Sequence, residues 1–119
     1  MKNRKKVIIT QNYLEGMPFR PSHIKWKVDE EDIVTLEIEN TGFMNRVAQK
    51  LFKRPKVSYI HLDKNGSFVW QIMDGKKTII DIGKEVEERF GDEAKPLYER
   101  LAQYFRILDS YGFVKWANK

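Results

Sequence analysis

Strict alternation of apolar and polar residues in two short segments limits the fold of this chain more than any other sequence feature. Six apolar side chains take alternate positions on either side of an acidic loop at residues 29–32: Ile24, Trp26, Val28, Val34, Leu36 and Ile38. A period of two places such side chains on one face of an extended backbone, and a short polar loop between two such segments is typical of an antiparallel hairpin. We therefore predict a half-buried β-hairpin that turns all six side chains towards the core.

The loop also predicts the register of this hairpin. If Val28 lies opposite Val34, the other pairs follow: Trp26 with Leu36, Ile24 with Ile38, and Lys25 with Glu37. This register keeps the apolar side chains on one face and sets opposite charges across the other face, which stabilises paired strands.

A third strand is predicted at residues 56–62, directly after Pro55. Its side chains alternate between an inward set, Ser58, Ile60 and Leu62, and an outward set, Val57, Tyr59 and His61. The outward set is still rather apolar, whereas a strand face that only contacts water usually carries polar side chains.

Three helices are predicted after this strand, each bounded by residues that begin or end helices. Asp63 and Thr78 are typical N-caps for the first two helices, and Pro96 suits the first turn of the third. A glycine follows the end of each helix: Gly75, Gly91 and Gly112. The third helix would bury one stripe of side chains, formed by Leu97, Leu101, Tyr104, Phe105 and Leu108. Residues 113–116 then predict a short last strand or wing.

The segment before the hairpin has no sustained period, and Gly16, Pro18 and Pro21 interrupt it. We therefore predict an extended arm at residues 1–23 rather than a helix, followed by a single domain at residues 24–119. Inside that domain, residues 43–54 predict an inserted basic amphipathic helix. The predicted fold class is α+β: a winged helix-turn-helix with N-terminal antiparallel β-strands followed by three helices.

The composition argues against most catalytic and metal sites. A chain of 119 residues suits one globular domain, and the absence of cysteine excludes disulfides, thiol nucleophiles and thiolate metal sites. The sequence also lacks a glycine-rich phosphate loop and a serine-nucleophile elbow. We therefore expect a protein that is not an enzyme and that binds neither a cofactor nor a metal.

No segment approaches the ~20 consecutive apolar residues that cross a bilayer. The basic residues at 1–6 are followed by only three apolar residues, at 7–9, which is too short for the apolar part of a signal peptide. We expect a cytoplasmic protein that does not associate with membranes.

The net charge of +5 is unevenly distributed. Residues 1–27 carry seven basic residues and one acidic residue, residues 28–40 carry six acidic residues, residues 41–58 carry five basic residues, and residues 59–119 carry ten of each. A DNA-binding protein concentrates positive charge on the element that enters the groove of the DNA. The neutral C-terminal half therefore argues against a DNA-binding role for the predicted helices.

A spaced pattern in the C-terminal half resembles the PqqD-like family. It comprises Leu62-Asp-x-x-Gly66-Ser-Phe-Val-Trp70, then Asp74-Gly75-Lys-x-Thr78-x-x-x-Ile82, and finally Tyr98-Glu-Arg-Leu101 and Leu108-x-x-x-Gly112-Phe113. The resemblance covers about residues 56–114 and, more loosely, the hairpin. The matched positions are mostly core residues, caps and turns, so the resemblance indicates the fold better than the binding site. The arm and the helix at residues 43–54 depart from the shortest family members.

This family is typified by the peptide chaperone of pyrroloquinoline quinone biosynthesis and is related to domains that recognise precursor peptides. The resemblance implies that a precursor (leader) peptide adds as a strand beside the third strand and lies against the third helix. The chain would present that peptide to a modifying enzyme, often a radical S-adenosylmethionine protein, and would itself bind no cofactor and no specific nucleic acid. The candidate peptide-binding residues are Val57, Ser58, Tyr59, Ile60, His61, Arg100, Gln103, Tyr104 and Ile107.

Two other readings remain open at this point. A winged-helix DNA-binding regulator shares the fold, although its third helix would offer only Arg100, Gln103 and Arg106 against Glu99. Alternatively, the N-terminal arm or a second copy of the chain covers the exposed strand, and the latter arrangement would make a homodimer.

Overall fold

The computed structural model of this chain describes residues 11–39 and 57–118. Its elements are, in chain order, helix α1 (Gln11–Leu14), strands β1 (Pro18–Phe19), β2 (Lys25–Val28), β3 (Val34–Glu39) and β4 (Val57–His61), helices α2 (Lys64–Ile72) and α3 (Ile79–Phe90), a 3-10 helix (Gly91–Ala94), helix α4 (Leu97–Ser110) and strand β5 (Lys115–Trp116). The predicted α+β class with antiparallel strands is confirmed. The winged helix-turn-helix arrangement stays a prediction, and the helix predicted at residues 43–54 lies outside the described residues.

Strands β2, β3 and β4 form an antiparallel sheet in that order. The hairpin register is confirmed, with three predicted pairs observed: Val28 with Val34, Trp26 with Leu36, and Lys25 with Glu37. The ion pair to Glu37, however, comes from Lys27, whose Nζ lies 3.4 Å from the carboxylate.

The inner face of this sheet is less completely buried than the alternation predicts. Val34 and Leu36 are fully buried, whereas Val28 is 37% exposed. The prediction that all six hairpin side chains are buried is therefore wrong for Val28. It is the last residue of β2, an outer strand of the sheet, and the exposed loop follows it directly.

The three predicted helices are present, and two of the predicted N-cap residues form hydrogen bonds with the first turn of their own helix. Asp63 caps α2 by accepting a hydrogen bond from the Gly66 amide at 2.7 Å. Thr78 and Asp81 form a capping box at the start of α3, in which each side chain accepts from the backbone amide of the other residue. Pro96 lies at the N-cap of α4, one position before the first turn in which it was expected.

The segment before the hairpin differs from the predicted extended arm, because Gln11–Leu14 forms one turn of helix. The described residues thus contain four α-helices instead of three. Strand β1 pairs with β5, and this pairing joins the two ends of the described chain. The Tyr13 ring lies 5.9 Å from the Trp116 ring.

Arg20 attaches this N-terminal segment to the C-terminal end of α2. Its Nη1 donates to the carbonyl oxygens of Trp70 at 2.8 Å, Gln71 at 3.1 Å and Met73 at 2.9 Å. A helix leaves its last carbonyl groups without partners, and a guanidinium is a favourable partner for that negative end of the helix dipole. The same guanidinium lies 5.1 Å from the centre of the Trp26 ring. One side chain therefore joins the N-terminal segment, the hairpin and α2.

One core lies between the three-stranded sheet and the helices. It combines Val34 and Leu36 of β3 with buried side chains of α2, α3 and α4, and Trp70 is completely buried within it. The ring of Trp70 meets that of Trp26 edge to face at 6.3 Å, a favourable arrangement for aromatic pairs.

Ser67 connects the sheet to α2 inside this core. It is completely buried, and its Oγ accepts from the Val34 amide at 2.8 Å and donates to the Leu62 carbonyl at 3.3 Å. A buried amide that loses its partner retains the full penalty of its lost hydration. The hydroxyl is therefore a structural requirement of the junction between β3, β4 and α2.

We expect Ser67→Ala to lower the free energy of unfolding by about 1–3 kcal/mol, because the Val34 amide is left buried without a partner. Urea unfolding followed by tryptophan fluorescence measures the change. Ser110→Ala is the matched control, since Ser110 is exposed and bonds the Ile107 carbonyl of its own helix. Equal stabilities of the two variants would contradict this role for Ser67.

Candidate functional site

Strand β4 is the outer strand of the three-stranded sheet. It pairs with β3 on one side, and within residues 11–39 and 57–118 no strand pairs with its other side. Its middle is well exposed, with Tyr59 at 60% and Ile60 at 37%. Ile60 pairs with the buried Leu36 and so faces the core side, as predicted, but it is not fully covered there.

The direction of the β4 backbone follows from one hydrogen bond. The Leu62 amide donates to the Val34 carbonyl at 2.9 Å, so the backbone groups of residue 62 point towards β3. Successive residues of a strand alternate in direction. The amide and carbonyl groups of residues 58 and 60 therefore point towards β3, and those of Val57, Tyr59 and His61 point to the open edge.

The two edges of this sheet differ in charge. Strand β2 carries Lys25 and Lys27, whereas the five residues of β4 include no Lys, Arg, Asp or Glu. Charged side chains, especially lysine, hinder another strand from pairing with an edge. An added strand would thus meet no such charge from the residues of β4 themselves.

His61 and Thr35 form a polar pair on the outer face of β4. The Thr35 Oγ1 and the His61 Nδ1 lie 2.7 Å apart, and the two residues are partners in the register. His61 is exposed. This contact fixes the orientation of the imidazole beside the open edge.

The four candidate residues of α4 come together on one groove. Arg100, Gln103, Tyr104 and Ile107 line a groove of about 220 Å³ between α4, the first turn of α2 and the end of α3. None of the five candidate residues of β4 lines it. The groove instead begins just beyond that strand, at Asp63.

Sequence reasoning missed the contribution of α2 to this groove. Asp63, Asn65 and Gly66 line it beside the residues of α4. At the level of sequence, Asp63 is interpreted as an N-cap and Gly66 as a turn residue, because such roles account for these residue types without any binding function. The position of Asp63 in the sequence could have indicated this contribution. Asp63 begins a helix directly after the predicted third strand, so the first turn of that helix must lie beside the end of the strand.

Tyr104 holds α4 against α2 at this groove. Its hydroxyl donates to the Gly66 carbonyl at 2.8 Å. Burial raises the pKa of the phenol far above its ordinary value of 10.0, and the Asp63 carboxylate raises it further. A Cβ at Gly66 would lie 3.0 Å from the Tyr104 ring and 2.9 Å from an Asp63 oxygen. The contact thus requires glycine or a shift of both neighbours.

Arg100 and Ile107 are the accessible residues at the rim of the groove. Arg100 donates to the Glu93 carbonyl at 2.8 Å, and among the described residues it forms no ion pair with a carboxylate. Ile107 is 49% exposed, although its side chain is apolar. The rim therefore combines an unmatched positive charge with exposed apolar surface.

A larger groove of about 290 Å³ lies on the other side of α2, but it contains no candidate residue. Half of its lining side chains are charged, and the Arg89 guanidinium lies 3.7 Å from the Asp32 carboxylate. Its own residues thus already satisfy much of its charge.

Within residues 11–39 and 57–118, no three His, Asp or Glu side chains are grouped as metal ligands would be. In the same residues, no helix is both long enough and apolar enough to span a bilayer.

We expect Tyr104→Phe to unfold more easily than the wild type near neutral pH, by about 1 kcal/mol, because the Gly66 carbonyl loses its partner. In the wild type, Tyr104 ionises near pH 10.0 only in the unfolded chain, so stability falls as the pH rises above that value, by up to ~1.4 kcal/mol per unit. The variant lacks this loss. Urea unfolding at about pH 8 and about pH 11 should thus show the difference between the two proteins shrinking. An unchanged difference would contradict the buried phenol.

Comparison with family models places the chain in a known family. A family model described as "Coenzyme PQQ synthesis protein D (PqqD)" matches residues 32–114. The matched residues extend from the β2–β3 loop to the residue before β5 and so include β4, α2 and α4. Searches of curated proteins and of solved structures returned no match. Because the matching model covers most of the chain, this protein belongs to the PqqD family.

Proposed function

We propose that this protein is a non-catalytic peptide-binding domain that captures a precursor (leader) peptide by strand addition and presents it to a modifying enzyme. Its membership of the PqqD family supports a role as a peptide-binding accessory protein. That family works beside a radical S-adenosylmethionine enzyme, so the modifying enzyme in our proposal belongs to that class. In this proposal the hairpin, β4 and the three longer helices act as one winged-helix domain.

The observation that carries the proposal is the open edge of β4. Three residues, Val57, Tyr59 and His61, direct their backbone groups to that edge, and the five residues of β4 include no Lys, Arg, Asp or Glu. An extended peptide that pairs there gains backbone hydrogen bonds irrespective of its sequence. Alternate side chains of the peptide then face either the outer surface or α4.

Helix α4 supplies the second surface in this proposal. In this proposal, inward-facing peptide side chains contact Ile60 of β4 and, beyond the end of β4, Ile107 of α4, both of which are partly exposed. Gln103 is exposed on the same helix and offers an amide to the peptide backbone. In this proposal Val57, Tyr59 and His61 pair with the peptide backbone. Ser58 and Ile60 belong to the same strand but direct their backbone groups to β3, and the candidate residues of α4 contact the peptide through their side chains.

The charges of α4 argue against sequence-specific DNA binding. The Arg106 guanidinium lies 5.6 Å from the centre of the Tyr13 ring. The exposed side of the helix also carries Glu99 and Asp109, which would face the phosphates of DNA. A helix that reads the major groove presents basic and amide side chains to the bases.

We expect duplex DNA to bind weakly and without sequence preference, because the excess positive charge lies in the front half of the chain. Fluorescence anisotropy with labelled duplexes at rising salt concentration measures this. The affinity should fall steeply with salt, as it does for contacts to phosphate alone. A salt-resistant complex with one sequence would favour the regulator instead.

We expect Tyr59→Pro to abolish peptide capture while the domain stays folded. Proline removes the amide of residue 59, which points to the open edge, and leaves the bonds between β3 and β4 in place. The native peptide is recovered by pull-down of the tagged chain from its host with mass spectrometry, and its affinity is then measured by calorimetry.

Tyr59→Ala is the matched control, because it removes the same side chain but keeps the amide. It should retain most of the affinity if backbone pairing dominates. Circular dichroism confirms the fold of both variants. Equal affinity of Tyr59→Pro and the wild type would exclude strand addition at β4.

A further inference from the structure

The groove beside α4 lies at the end of the strand on which the peptide would pair. Leu62 follows β4 directly, and Asp63 next to it is both the N-cap of α2 and part of the groove. A peptide that pairs with Val57–His61 and continues past His61 therefore reaches the groove. The side chains that enter it belong to one end of the paired segment and not to its middle.

The floor of the groove is apolar and already packed. Val69, Val86 and Leu101 lie at its base and are 2%, 2% and 5% exposed. Ile107 forms a wall that is 49% exposed. The volume of about 220 Å³ far exceeds the ~15 Å³ that one water requires. An apolar side chain in this space would remove its own surface and the exposed surface of Ile107 from water.

The charge at the rim is positive and unmatched. The bond from Arg100 Nη1 to the Glu93 carbonyl, 2.8 Å long, holds the guanidinium beside the groove. Its remaining N–H groups face no carboxylate among the described residues. The Asp63 carboxylate also lines the groove and keeps its negative charge, but it accepts from the Gly66 amide at 2.7 Å and forms no ion pair with Arg100. A guanidinium binds a carboxylate through two parallel hydrogen bonds, which a lysine-like or neutral group cannot form.

We infer that the groove selects peptides in which a large apolar residue and a neighbouring acidic residue lie at one end of the strand-forming segment. The apolar side chain fills the space between Val86, Leu101 and Ile107, and the carboxylate pairs with Arg100. This inference rests on the proposed function and adds the chemical class of the peptide. The backbone edge of β4 supplies affinity for any extended chain, and the groove supplies the choice among such chains.

The test uses short labelled synthetic peptides and the full-length protein. One set carries Leu-Glu at either end of a neutral strand-forming segment, and matched sets carry Leu-Lys or Ser-Glu instead. Fluorescence anisotropy gives the affinities. Wild type should prefer Leu-Glu over Leu-Lys by about tenfold, the ratio that corresponds to one charge-assisted hydrogen-bonded pair. It should prefer Leu-Glu over Ser-Glu by about tenfold as well, because only the leucine side chain removes apolar surface from water.

Two groove variants assign this preference to the two residues. Arg100→Glu should reverse the preference, so that Leu-Lys binds better than Leu-Glu. Ile107→Ser should remove the advantage of leucine over serine and keep the preference for the acid. Lys84→Glu is the matched control for charge, because Lys84 is exposed on α3 and does not line the groove. It should leave both preferences as in the wild type.

The outcomes separate this inference from the proposed function. If peptides bind, Tyr59→Pro abolishes their binding, and Arg100→Glu changes no preference, the inference fails and strand addition stands. If no peptide in any set binds, both fail.

Two further outcomes would assign the groove to another occupant and overturn the inference. One is a dimer that Tyr59→Pro converts to a monomer and that no peptide disrupts, which assigns the site to a second copy. The other is peptide binding that occurs only after removal of residues 1–10, which assigns it to the chain's own N-terminal segment.

Discussion

The hydrogen bonds around the first turn of α2 hold the sheet, α2 and α4 in one arrangement. Ser67 Oγ accepts from the β3 amide of Val34, Asp63 accepts from the Gly66 amide, and the Tyr104 hydroxyl donates to the Gly66 carbonyl. Each bond joins a group on α2 to a different neighbour. Because buried polar groups need partners, these bonds together fix the position of α2 against the end of β4 and the position of α4 against α2. The open edge and the groove both depend on this junction.

The terminal segments stabilise the opposite side of the domain and leave the candidate site uncovered by the described residues. Strand β1 pairs with β5 instead of β4, and Arg20 bonds three carbonyl oxygens at the C-terminal end of α2. Trp116 lies 5.9 Å from the Phe105 ring on the buried side of α4. The described part of the predicted arm therefore binds both the last strand of the domain and the C-terminal end of α2.

An uncharged edge strand is a risk for a protein on its own, since such edges promote pairing between chains. Two lysines protect the sheet at β2, whereas the residues of β4 include no Lys, Arg, Asp or Glu, and no strand among residues 11–39 and 57–118 covers that edge. A partner that pairs with β4 would remove this risk and use the same backbone groups for recognition. The physical feature that favours aggregation is thus the one that favours peptide capture.

Local signals in the sequence were sufficient for much of the fold. The alternation around residues 29–32 predicted the hairpin register, and Asp63 and Thr78 predicted where two helices begin, because these effects involve neighbours along the chain. The family pattern at residues 62–113 was likewise visible without coordinates. The candidate residues came from that resemblance: Val57–His61 on the third strand, and Arg100, Gln103, Tyr104 and Ile107 on the third predicted helix.

Other features depended on residues that are distant in sequence. The pairing of β1 with β5 and the bonds of Arg20 to residues 50 or more positions away have no local signature. Packing likewise decided that Val28 and Ile60 are partly exposed at the sheet edges. It also brought Asn65 and Gly66 of α2 into the groove beside α4. Periodicity determines which face of an element is apolar, but the contacts among distant elements decide how much of that face is covered.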